Sequence, residues 1–264
     1  MAARITRAKK KIASARIPYR VPTYDDLPPR LAAVLEVVHL VFTTGHAAPV
    51  GEHLVRQDLV DGAIDLGRML HLLLPLEPEI PELLALMLLI DARRDTRVSD
   101  SGSLVLLADQ DRSRWDRAKI DEGVALLAAS LAGRAPTRFG LQAAIAAVHA
   151  EAPSWSYTDW GEIAALYGVL GRLWPSPVVE LNRAVAIGLR DGPEAGLRAL
   201  APLLGEPALS TYAYVSAARA DFLRRLGRWV DAATSYEEAL ARTDNEVERA
   251  FLAGRLEEVR AQQA

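Results

Sequence analysis

Apolar residues recur along this chain three and four apart, the spacing of one face of an α-helix. The clearest stretch is residues 217–240, AARADFLRRLGRWVDAATSYEEAL. There Ala220 and Leu223 share one helical face, Gly227 stands where the chain turns, and Ala232, Tyr236 and Ala239 mark one face of the next helix. Upstream, Leu54, Leu59, Ile64, Leu66, Met69, Leu70 and Leu73 predict a helix over 52–74 that ends at Pro75. Pro81 is placed for the first turn of a nearly all-apolar helix, LLALMLLIDARR, so residues 83–90 are expected in the core. Further helices are predicted over 31–42, 115–131, 139–151 and 159–173, the last capped by Thr158 and Asp159. Residues 178–189 and 193–204 read as a hairpin around Asp191 and Gly192, and Asp244 with Asn245 as a capped stop before a final helix. The fold class is all-α, made of antiparallel helical hairpins.

The offsets in 217–240 resemble a tetratricopeptide repeat: small residues where helices cross, a glycine at the turn and an aromatic beyond it. Gly227, Trp229, Ala232, Tyr236 and Ala239 follow that pattern, and Ala184 stands 36 residues before Ala220, close to one repeat length of about 34. The resemblance implies a right-handed solenoid in the C-terminal part. One such pair of helices cannot bury its apolar face alone, so neighbours are required. Four segments follow: a basic helix over 1–17, a proline-rich linker over 18–30, a helical domain over 31–153, and repeats over 154–264 packed continuously against it.

Half of the 264 residues are hydrophobic, enough for a sizeable core. Without cysteine the chain has neither disulfides nor thiolate metal sites, which fits a reducing compartment. No apolar run reaches the roughly 18–20 residues of a membrane-spanning helix. The first residues are basic but lack the apolar stretch of a secretion signal, so a soluble, cytoplasmic protein is expected. Charge is uneven. Of the 31 basic side chains seven fall in the first 24 residues, where no acidic one occurs; the remaining 24 face 34 acidic ones. A basic arm able to touch phosphate precedes an acidic body unsuited to coating nucleic acid.

Candidate chemistry concentrates in Asp91, Arg93, Arg94 and Asp95, then Asp109, Asp111, Arg112, Arg114, Trp115 and Asp116. Paired carboxylates suit acid–base work or a hard cation. Interleaved arginines argue instead for a salt-bridge network tying helix ends to a loop, since a guanidinium fork occupies carboxylate oxygens. His39, His46, His53, His71 and His149 show no zinc-ligand spacing, and surface or capping roles are expected for them. Neither a GxSxG elbow nor a glycine-rich phosphate loop occurs, so no catalytic residue, metal or cofactor is expected. Trp155, Trp160 and Trp174 with Tyr157 and Tyr167 line either a peptide groove or, the plainer reading, helix junctions.

Several stretches, in order, resemble one family: RITRAKKKIASARIPYRVP, LLALMLLIDARRDTR, LVLLADQDRSRWDRAKIDEG, LQAAIAAVHAEA, TDWGEIAALY, PSPVVELNRAVAI and RADFLRRLGRWVDAATSYEEAL. They are similar to the carboxyl-terminal extension of a group of extracytoplasmic-function RNA polymerase sigma factors that carry a fused tetratricopeptide-like domain. DQDRSRW and PSPVVELNRAVA are the most specific of these motifs. The resemblance implies that the start of the chain corresponds to the end of the family's promoter-reading helix-turn-helix. Arg4, Arg7, Lys9, Lys10 and Lys11 would then contact DNA backbone, weakly and without sequence preference in this chain alone. It also implies a regulatory, non-enzymatic role in transcription initiation. The partners would be core RNA polymerase or the amino-terminal sigma regions, met by the acidic repeat domain. The alternative is a free-standing helical scaffold or ligand-binding protein with no transcription role.

Overall fold

A computed structural model describes residues 6, 7, 10, 11, 14, 15 and 28–263. It divides into two compact units, residues 1–37 and 38–264. The boundary between them lies inside the first long helix, α1 (Pro28–His46). In the first unit residues 6, 7, 10, 11 and 14 are helical and exposed, which places Arg7, Lys10 and Lys11 on an exposed helical segment. Arg4, Lys9 and linker residues 18–27 lie outside the described residues.

The second unit continues through α2 (Gln57–Leu73), α3 (Glu79–Asp91), α4 (Arg117–Leu131), α5 (Arg138–Glu151), α6 (Trp160–Leu173), α7 (Pro177–Asp191), α8 (Pro193–Leu200), α9 (Ala213–Arg225), α10 (Trp229–Leu240) and α11 (Glu246–Ala261). Central to its first half is α3, which packs on α2, α4 and α5. Its residues Leu83 to Leu89 are all within 3% of full burial, the environment that a helix apolar all round requires. From α5 onward each helix packs on the next, with no break near residue 153.

The last three helices show how small residues build a repeat. Gly227 turns the chain with φ +70°, a left-handed conformation open to glycine at no steric cost. Ala220, Ala232 and Ala239 are fully buried where α9 meets α10, and Leu223 and Tyr236 fill the space beside them. Trp229 is partly buried against this cluster. Leu252, Leu256 and Val259 of α11 close the far side and supply the neighbour that one pair of helices lacks. Ala184 belongs to the adjoining cluster of α7, α8 and α9, with Leu181, Leu200, Leu209 and Phe222.

Two predicted helices are shorter than their apolar pattern, for local reasons. The segment 193–204 is α-helical only to Leu200; Pro202, which has no amide hydrogen, converts the rest into a 3₁₀ turn, Ala201–Leu203. The helix predicted over 52–74 starts at Gln57, because residues 47–56 are drawn into a contact with the other end of the chain. There Val50–Gly51 pairs in parallel with Asp244–Asn245. Asn245, fully buried, donates to the carbonyls of Ala48 (2.9 Å) and His53 (3.2 Å). Its side-chain oxygen accepts from the amides of Val247 (3.1 Å) and Glu248 (3.2 Å), capping α11. One amide side chain therefore both starts the last helix and fastens it to the loop before α2.

Candidate functional site

The charged cluster lies at the end of α3 and in the loop that follows, and the structure separates its members into three roles. Asp91 is buried and accepts from Arg94 (2.6 and 2.8 Å) and Lys119 (2.9 Å), while Arg94 also reaches Asp61 at 2.5 Å. Burial opposes the charge of Arg94, but hydrogen bonds to Asp61 and Asp91 outweigh it and raise its pKa. This group ties α2, α3 and α4 together.

The second role is a staple. Arg112 donates to the carbonyls of His149 and Ala152 at the end of α5, both at 2.6 Å, and to the Thr158 hydroxyl at 3.2 Å. Its guanidinium lies 4.8 Å from the centre of the Trp115 ring. Trp115 is buried and donates from Nε1 to Thr96, whose hydroxyl in turn meets Gln110. Asp111 does not pair with an arginine, as the interleaved pattern suggests it should. It accepts from the amide and hydroxyl of Ser113, which starts a short 3₁₀ turn. Asp109 is exposed. The DQDRSRW segment is thus chiefly an anchor for the ends of α5 and α6, since a carbonyl at a helix end needs a donor that the helix cannot supply.

The third role belongs to Arg93 alone. It borders a cavity of about 710 Å³, within the range of small-molecule sites. One wall is α3 (Leu86, Leu89, Ile90) and another is α5 (Gln142, Ile145, His149); Tyr167, Trp174, Asn182 and Tyr212 complete the polar and aromatic lining. No aspartate or glutamate lines it. Among the described residues Arg93 makes no salt bridge, and its guanidinium has no hydrogen-bond acceptor. Burial, with Arg112 nearby, pushes its pKa down to about 10, so it stays charged at neutral pH. Arg97 is held at about 10 by burial and by Arg93, and spends its donor on the His46 carbonyl. Of these three guanidinia only that of Arg93 borders the cavity, where no aspartate or glutamate among the described residues faces it. Tyr167, pushed up to about 12 by burial, keeps its hydroxyl proton.

Of the histidines that the sequence assigns to surface or capping roles, His53 is exposed, whereas His39, His46, His71 and His149 are half-buried. His39 stands edge-on to Phe139 at 5.4 Å, and His46 stacks on Phe42 at 5.7 Å. His149 lies edge-on to Trp160 at 5.2 Å, and its buried Nδ1 has no partner. Burial, then Arg93 and Arg112, lowers the pKa of His149 to about 4; burial also lowers His39 and, further, His46. Below pH 6.5 the unfolded chain binds protons that the folded chain refuses, so stability, complete above that value, falls as pH approaches 4. The expected slope for His149 is at most about 1.4 kcal/mol per pH unit. Thermal midpoints measured from about pH 7 to about pH 4.5 should fall, and fall less in His149→Gln.

Of the aromatic group, Trp155 and Trp160 pack on each other at 4.7 Å and Arg138 lies 5.2 Å from the Trp174 ring centre, whereas Tyr157 is exposed. No peptide groove gathers the five. Tyr167 and Trp174 face the cavity instead. An exposed apolar shelf lies elsewhere: Leu66 (45% exposed), Met69 (55%), Leu72 (81%) and Leu73 (68%) on α2, and Leu76 (81%) in the turn after it. The sequence signals for the cavity are slight. His149 is a polar outlier in the apolar run LQAAIAAVHAEA, and Gln142 lies two turns before it on one face. Tyr167 stands out only as one of the aromatic group, and Asn182 and Tyr212 carry no signal, since only packing brings them near Arg93. Among the described residues no three His, Asp or Glu side chains gather around a possible metal position. None of their helices is long and apolar enough to cross a membrane.

Three comparisons bear on this architecture. The profile of DUF6596, described as a family of unknown function, matches residues 30–131. An uncharacterized protein of Rhizobium meliloti (strain 1021) is 45% identical over 264 residues, and the chain spans 62% of that relative's length. A crystal structure of a thermophilic TPR protein from Thermus thermophilus superposes with a TM-score of 0.56 at 16% identity, covering 85% of this chain and 98% of that one. The fold is all-α and TPR-like.

Proposed function

We propose that this chain is a regulatory protein-binding domain of an extracytoplasmic-function sigma factor, cytoplasmic and non-enzymatic, and that it docks the amino-terminal regions of such a factor through the shelf at the end of α2. The observation that carries the docking surface is the exposure of Leu66, Met69, Leu72, Leu73 and Leu76 on one helix and its following turn. A contiguous apolar patch rimmed by polar residues is a common mark of an interaction site. The sigma-factor reading is supported by the seven ordered stretches of similarity, above all DQDRSRW and PSPVVELNRAVA. Arg4, Arg7, Lys9, Lys10 and Lys11 supply the phosphate-directed charge of that reading, giving weak, salt-sensitive DNA binding.

The test is capture of purified core polymerase, and separately of the amino-terminal sigma regions, by the immobilised chain. Expected is capture of the sigma regions that weakens by about tenfold or more in Leu72→Asp/Leu73→Asp/Leu76→Asp. Those side chains are exposed, so the thermal midpoint of the variant should stay within a few degrees of the parent. Capture of neither protein, or capture unchanged by the triple substitution, ends this reading. The runner-up, a ligand-binding helical protein with no transcription role, is favoured by the cavity beside Arg93.

A further inference from the structure

We infer that the cavity beside Arg93 is a binding site for an organic monocarboxylate with an apolar, aromatic or aliphatic body. This goes beyond the docking reading and does not depend on it. A half-buried guanidinium with no carboxylate partner is less favourable than one in open water, and an anion in the cavity beside it would supply the counter-charge. Among the described residues no carboxylate supplies it: the lining holds none, and the buried Asp91 at the end of α3 is already shared between Arg94 and Lys119. Arg93 has part of its area accessible and yet is strongly desolvated; both follow if the accessible part faces the cavity.

The class of ligand follows from the inventory. A planar carboxylate matches the fork of a guanidinium, which presents two parallel donors. One negative charge suffices, because among the described residues that line the cavity Arg93 is the one arginine or lysine. An amino acid or polyamine is disfavoured, since nothing in the lining would balance an ammonium group. Gln142, Asn182 and Tyr167 offer uncharged donors around the carboxylate, and Leu86, Leu89, Ile145 and Trp174 offer apolar walls to the rest of the molecule.

The experiment uses the full chain with indole-3-acetate, 4-phenylbutyrate and octanoate, each beside its uncharged alcohol, read by calorimetry and by tryptophan fluorescence, since Trp115 and Trp174 border the cavity. At least one acid is expected to bind saturably and about tenfold or more tighter than its alcohol. Arg93→Met should lose that preference. It should also leave the unliganded chain with an equal or higher thermal midpoint, by about 3 °C, because it removes a half-buried charge that has no carboxylate partner; an arginine with a structural role would lower it. Ala146→Phe, which fills the cavity while keeping Arg93, should abolish binding of all three acids. The inference is overturned if no acid binds saturably below about 5 mM. Equal binding of acid and alcohol, unchanged affinity in Arg93→Met, or full competition by equimolar inorganic phosphate overturns it equally. None of these outcomes bears on capture of sigma regions.

Discussion

Glu82→Ala is expected to destabilise the chain by about 4 kcal/mol, since each buried donor left without an acceptor costs roughly 1–3 kcal/mol. The Glu82 carboxylate is 1% exposed and stands under the first turn of α5. It accepts from the amides of Thr137 (3.2 Å) and Gly140 (3.0 Å) and from the Thr137 hydroxyl. It thereby satisfies amides that have no partner within α5 and places negative charge at the positive end of that helix. The fit is close: a Cβ on Gly140 would lie 2.7 Å from the carboxyl carbon of Glu82. Removing the carboxylate strands the buried Gly140 amide and the two partly buried donors of Thr137, and leaves a hole. Urea unfolding should show a lowered midpoint at unchanged slope, and the thermal midpoint should fall by roughly 8–16 °C. Glu82→Gln, which keeps one acceptor oxygen, should lose less. A loss under about 1 kcal/mol for the alanine variant would mean that water or another group can replace the carboxylate.

Gly188→Ala is expected to cost about 3 kcal/mol, the upper range for forcing an added methyl into a packed interior. A Cβ at Gly188 would stand 2.2 Å from the Cζ atom of Phe222 and 3.0 Å from the backbone of Gly196. The Phe222 ring sits where α7 and α8 come together, and a Cβ on Gly196 would meet the same ring at 2.5 Å. An added methyl therefore requires the ring, or the facing backbone of α8, to shift. Combining Gly188→Ala with Phe222→Leu should recover part of the loss, with a coupling of about 1 kcal/mol or more between the two sites. An additive double variant would show that the strain is taken up elsewhere, by movement of α8 as a body.

The two predictions concern positions of opposite legibility. The small-residue pattern of Ala184, Ala220, Ala232 and Ala239 can be read along the chain, and Gly188 stands one turn after Ala184 on the same helix. A period of about 3.6 places such residues on one face, and a face of small residues has one physical use, which is to let another helix approach. The turn at Gly227 and the cap at Asn245 are similarly local, each decided by residues within a few positions of itself. Glu82 gives no such sign: between Pro81 and Leu83 it reads as an ordinary first-turn acid.

The charged cluster shows the limit more sharply. Asp91, Arg93, Arg94, Asp111 and Arg112 are close in sequence, and pairing each acid with its nearest arginine is the natural expectation. Helix geometry permits it only for Asp91 and Arg94, three apart on one turn. Arg112 reaches carbonyls 37 and 40 residues away, Asp111 turns to Ser113, and Arg93 turns inward to the cavity. The sequence by itself determined the class of fold, the positions of most helices and the small-residue seams of the C-terminal repeats, because these depend on periodicity and on turns. Tertiary structure alone decided the clasp between residues 48–53 and Asn245, the acceptor beneath α5, and the turn of Arg93 toward the cavity. Each of these joins groups far apart in the chain, and the free energy of such a contact depends on which solvent and which neighbours the packing leaves to it.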